Sequence, residues 1–185
     1  MIPTAEECYA LMEQYGMLDN IKAHSIVVEK VARIIASAII ETGYEISIER
    51  VTAGALMHDI GKTLCLGSKN DHAAKGMEIC IRNNFTEISD IVGEHIRLSS
   101  YESGTEIRVE EIVYYSDKRV NHDKVVSLEE RLEYLLVRYA RGKKSLNRLI
   151  RENFKNCKIV EKKLFADLDF GPEDLEELVG HPISF

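Results

Sequence analysis

Apolar residues recur along this chain at spacings of three and four, the period of one face of an α-helix, and no alternating stretch is long enough for a useful strand. The clearest stripe is Ile21, His24, Val28, Val31 and Ile35, on a long helix expected to be capped by Asp19 and to run to about Gly43. Before it, Thr4 and Glu7 make a capping box for a helix that Gly16 ends. Ser47 opens a third helix that finishes around the run HDIGK, residues 58–62, where Gly61 is expected to supply a left-handed cap. Past the loop LGSKN, Asp71 caps a fourth helix with His72 in its first turn. A fifth, about 87–98, sets Ile91, Val92, His95 and Leu98 on one side, and a sixth, after Thr105, groups Val113, Ser116, Asp117 and Val120. Ser127 with Glu130 opens a seventh, GKKS breaks the pattern before a charged helix at about 146–165, and Pro172 starts a short last helix. The pattern predicts an all-α bundle.

Composition narrows the function classes. The 185 residues suffice for a real hydrophobic core, and 45% apolar with 30% charged residues is ordinary for a globular chain. A net charge of −7 disfavours a nonspecific binder of long nucleic acid, so any polyanion contact has to be local. The apolar run VARIIASAII is too short to span a bilayer, and MIPTAEECYA lacks the basic start and apolar run of a signal peptide, so no membrane partner and a cytoplasmic location are expected. Cysteines 8, 65, 80 and 157 form no CxxC pair and read as small buried hydrophobes in a reducing compartment.

Four histidines (24, 58, 72 and 95) and two aspartates (59 and 117) lie on, or at the end of, helical faces that otherwise point inward. One histidine on an apolar face is most often a core residue, but a buried aspartate is costly unless paired, hydrogen-bonded or bound to metal. Six such residues on several helices call for a common cause. Imidazole and carboxylate without cysteine suit Fe, Mn, Co, Ni or Zn.

The stretches HSIVVEKVA around His24, LMHDIGK around His58 and Asp59, DHAAKG around His72, IVGEH ending at His95 and YYSDKRV around Asp117 together resemble the HD-domain superfamily of metal-dependent phosphohydrolases. The resemblance covers about residues 20–140. Residues 1–140 are therefore the expected main domain, with 141–185 a helical appendage packed on it. It implies that His24, His58, Asp59 and Asp117 hold one divalent ion, that His72 and His95 hold a second, and that Asp59 bridges the two. The pattern is similar to bacterial enzymes that split diadenosine tetraphosphate symmetrically. It departs from the cyclic-dinucleotide phosphodiesterase branch, because Ile96 follows a single His95 and no GYP motif is present.

The implied chemistry is hydrolysis of a phosphate ester or anhydride of a small nucleotide or related metabolite by a metal-activated water. Asp59 and Lys62 are the expected catalytic residues, with Lys62, Lys118, Arg119 and Arg97 binding substrate oxygens. The alternative is a noncatalytic metal or nucleotide sensor that signals through residues 141–185. A homodimer formed on apolar faces of the terminal helices is compatible with the pattern. His122 and His181 read as surface residues, Tyr101, Tyr114 and Tyr115 as core aromatics rather than base-stacking ones, and Lys143, Lys144 and Arg148 as a solvated face.

Overall fold

The structure, a computed structural model, describes residues 1–68, 70–100 and 106–180, so the expectations for Tyr101, Thr105 and His181 lie outside the described residues. Its helices are α1 (Ala5–Gln14), α2 (Asp19–Glu41), α3 (Ile48–Met57), the single turn α4 (Lys62–Cys65), α5 (His72–Arg82) and α6 (Ser89–Glu94), followed by α7 (Val109–Lys118), α8 (Leu128–Tyr139), α9 (Lys144–Leu164) and α10 (Leu175–Gly180). The only pairing among the described residues is a two-residue antiparallel hairpin, β1 (Val120–Asn121) with β2 (Lys124–Val125). The fold is all-α.

Local chemistry explains most boundaries. Thr4 accepts from the Glu7 amide while Glu7 reaches back to the Thr4 amide, and Ser127 with Glu130 repeats this capping box on α8. Ser47 caps α3 through the Arg50 amide, and Asp71 caps α5 through the Ala73 amide. Gly16 (φ +62°) and Gly43 (φ +98°) turn the chain left-handed after α1 and α2, where a side chain would be strained.

Other boundaries correct the sequence reading. Asp19 is the first helical residue of α2, and Leu18, which has no capping side chain, precedes it. The helix expected to reach Leu98 stops at Glu94, so His95 lies just past the end of α6. Gly61 is right-handed (φ −79°), not a left-handed cap. Glycine is needed there for space, because a β-carbon would lie 2.4 Å from the His72 carbonyl oxygen and 2.7 Å from the Gly76 nitrogen.

The core centres on α2, whose residues Val28, Val31, Ala32, Ile35 and Ala36 are fully buried against α3 and α7. Each large side chain among them contributes roughly 1.5–3 kcal/mol relative to exposure. Helix α3 packs close to α6, where Gly54 leaves room for Ile91. Helix α9 packs on α7 by burying Phe154, Cys157, Val160 and Leu164, and Lys163 pairs with the buried Glu111 at 2.8 Å. Tyr114 and Tyr115 are core residues whose hydroxyls donate to Asn153 and Glu161 of α9. No helix among the described residues is long and apolar enough to cross a membrane.

Candidate metal centre

Five helix ends converge on one point. His24 projects from the second turn of α2, His58 caps the end of α3, and Asp59 follows in the turn to α4. His72 begins α5, His95 caps the end of α6, and Asp117 stands one residue before the end of α7. These rigid ends hold six side chains more firmly than loops of equal length would.

All six side chains meet. His24 Nε2 lies 2.9 Å from Asp117 Oδ1, and His58 Nε2 lies 3.6 Å from the same oxygen and 3.4 Å from Asp59 Oδ2. On the other side of Asp59, its Oδ1 is 3.3 Å from His72 Nε2 and 3.6 Å from His95 Nε2. Two groups result, His24 with His58 and Asp59, and Asp59 with His72 and His95. Within each, the potential ligand atoms lie within 4.8 Å of one another. Asp59 belongs to both groups, and Asp117 borders the first.

The imidazoles are oriented by the main chain. His58 Nδ1 donates to Ala55 O at 2.7 Å, His95 Nδ1 to Val92 O at 2.6 Å, and His24 Nδ1 to His122 O at 2.8 Å. A proton on each Nδ1 leaves each Nε2 lone pair free to point inward, the arrangement that metal-bound histidines use. His58 Nε2 is fully buried and has no hydrogen-bond partner. A buried polar atom left this way is costly unless a cation completes it, so this donor set fits a divalent ion.

Electrostatics agree. Burial opposes charge on His58, yet the flanking Asp59 and Asp117 carboxylates raise its pKa to about 9. Burial raises Asp59, but His58, His72 and His95 hold it well below the carboxylate range. Asp117 is likewise pushed up by burial and pulled well below by Lys118, His24 and His58. Burial lowers His95. The protein's own cations occupy the space around two carboxylates that bound cations would otherwise neutralise.

The four expected oxygen-binding residues diverge. The Lys62 ammonium lies 2.6 Å from Asp59 Oδ2 and stays partly exposed at the mouth. Lys118 is buried, where it donates to Asp117 Oδ2 at 3.0 Å and to the His95 carbonyl, and it lies over the Tyr114 ring. Arg119 is a correction: it is buried, and it donates to Val126 O, Tyr115 Oη and Pro172 O at 2.6–2.8 Å, away from the cluster. Arg97 is exposed beside the site and touches none of the six. The His122 side chain is exposed, as expected, but its carbonyl serves His24, a role that only the hairpin's tight turn (φ +57°) reveals. Ala55 and Val92 stand three residues before their histidines, a spacing visible in the sequence as a helix-end acceptor.

The family profile described as HD domain matches residues 21–169. An uncharacterized protein of Methanocaldococcus jannaschii is 28% identical over 145 residues, 71% of this chain and 85% of its own length. A tRNA (cytidine(56)-2'-O)-methyltransferase of Thermoplasma volcanium is 36% identical over 97 residues, 52% of this chain and 27% of the enzyme. Its counterpart in Picrophilus torridus is 29% identical over 145 residues, 71% of this chain and 40% of the enzyme. The chain thus spans less than half the length of either methyltransferase. No solved structure matches.

Proposed function

Because the chain belongs to the HD domain family, we propose that it is a metal-dependent phosphohydrolase with a two-ion centre, acting on a phosphate ester or anhydride of a nucleotide. The observation that carries this reading is the buried, unpartnered His58 Nε2 beside an aspartate shared by two ligand groups. His24, His58, Asp59 and Asp117 would hold one ion, and Asp59, His72 and His95 the other. This follows the finer resemblance to the dinuclear enzymes that split diadenosine tetraphosphate. Bound divalent ions supply an activated water and neutralise phosphoryl charge.

The chain's own residues do the rest. Lys118 holds Asp117 Oδ2, leaving Oδ1 turned toward His24 and His58. Lys62 fixes Asp59 and keeps its ammonium, whose charge Asp59 favours against the effect of burial, at the mouth for a substrate oxygen. No side chain is needed as nucleophile. Two relatives carry their matching segment within longer proteins named for tRNA modification, which favours an RNA-derived nucleotide over a free sugar phosphate or lipid.

The test is to load the purified protein with Mn, Fe, Co, Ni or Zn and assay a panel of nucleotide esters and anhydrides. Asp59→Ala is expected to lose both bound metal and turnover. Metal content and turnover that are independent of Asp59 refute the reading, and full metal occupancy without turnover across the panel replaces it with a sensor.

A further inference from the structure

One strongly charged concavity lies outside the metal centre. Residues 141–158 contain seven Lys and Arg against one acid, Glu152, in a chain whose net charge is −7. Lys144, Arg148, Arg151 and Lys155 recur at spacings of four, three and four, one face of α9 about 16 Å long. With Lys143 and Asn147 they line an open groove of about 910 Å³ against the end of α8.

Several cations elsewhere in the molecule are neutralised. Arg50, Lys75, Lys118, Lys158 and Lys163 each pair with a carboxylate. Among the described residues Lys143, Lys144, Arg148, Arg151 and Lys155 have no carboxylate partner, and all are exposed. A row of like charges held without partners repels itself, and it is relieved by a polyanion that follows the row.

Two neighbours give the groove a direction. Tyr139, at the end of α8 beside groove residue Ala140, is half-exposed. Helix α9 is moored at the metal centre, since Asn153 Nδ2 donates to the carbonyl of Ile96, next to His95. A cationic track with an aromatic face beside it is the combination that holds single-stranded nucleic acid, the track following phosphates and the ring stacking a base.

We infer that this groove docks the backbone of a single-stranded RNA, with Tyr139 stacking a base, so that the end of the strand is presented to the metal centre. This rests on the phosphohydrolase reading for what happens at that end, but the docking itself does not. It also gives the expected local polyanion contact a place, in a chain whose net charge is −7.

The test measures anisotropy of a fluorescein-labelled 12-nucleotide single-stranded RNA on the full-length Asp59→Ala protein, with and without Arg148→Glu/Arg151→Glu. Charge reversal is expected to weaken binding at least tenfold and to lower the salt slope by about 1.4, at roughly 0.7 per phosphate contact. Tyr139→Ala is expected to weaken it at least fivefold. Unchanged binding by the charge-reversed protein, with unaltered melting temperature, overturns the docking site. Competition by poly-glutamate or duplex RNA as strong as by the single strand overturns the assignment of its ligand. The two readings fail separately. Groove-dependent RNA binding by a wild-type protein that hydrolyses no phosphate ester keeps the groove and removes the phosphohydrolase. Turnover of a small ester without RNA binding does the reverse.

Discussion

Replacing Gly61 with alanine tests whether the two ligand groups are separable. A β-carbon at this position would meet the His72 carbonyl oxygen at 2.4 Å and the Gly76 nitrogen at 2.7 Å, and neither backbone atom can rotate away. Relief requires α5 to retreat by about 0.6 Å, to the 3.0 Å that real β-carbons respect. Overpacking of this kind costs about 1–3 kcal/mol, or roughly 2–12 °C in Tm for a chain of this size. Metal sites tolerate displacements of only about 0.2 Å, so α5 carries His72 out of reach of an ion shared with His95 and Asp59. Helices α2, α3 and α7, which carry His24, His58 and Asp117, lie on the far side of Asp59 and are not pushed. The expected result by elemental analysis is therefore a fall from two ions per chain to one. Gly180→Ala, on α10, is the control, because its β-carbon would meet nothing within 4 Å. The reasoning is refuted if Gly61→Ala retains two ions, or if Gly180→Ala loses the second as readily.

His72→Ala should likewise keep one ion and lose most turnover on any substrate; retention of two ions removes His72 from the ligand set. Metal binding needs neutral His58, whose metal-free pKa of about 9 lies above its ordinary 6.5. That raised pKa stabilises the metal-free fold fully below about pH 6.5, and the contribution fades as pH rises through 9. Calorimetry at pH 7.5 in buffers of different ionisation heat should therefore show about one proton released per chain from this residue, with apparent affinity rising about tenfold per pH unit up to 9; binding without proton release contradicts the assignment. Arg119→Met strands the Val126 and Pro172 carbonyls and is expected to cost about 2–5 kcal/mol, read as a Tm loss on the order of 10 °C with metal content intact. A variant that melts normally but binds substrate poorly returns Arg119 to the substrate site.

Period and capping residues made most of the helices legible, because Thr4, Ser47, Asp71 and Ser127 each satisfy amides within three residues. The six clustered residues were legible for a different reason: ionisable side chains on apolar stripes have no cheap alternative to a shared cation. What escaped depends on distant contacts. Arg119 follows a ligand directly in sequence, and only the fold brings Pro172 and Val126 to its guanidinium. The same holds for the His122 carbonyl, 98 residues from the imidazole it orients. Gly61 looks like a conformational glycine in the sequence, which cannot show that α5 passes over it.

The three histidines that take their orientation from carbonyl groups have a bearing on how such a centre drifts over time. Substituting Ala55, Val92 or His122 by another residue leaves the acceptor in place, whereas a carboxylate in that role could be deleted by one codon change. Point changes around the ligands are therefore tolerated more readily than insertions or deletions. A single residue added to the turn between β1 and β2 would displace the acceptor and free His24 to choose the wrong tautomer.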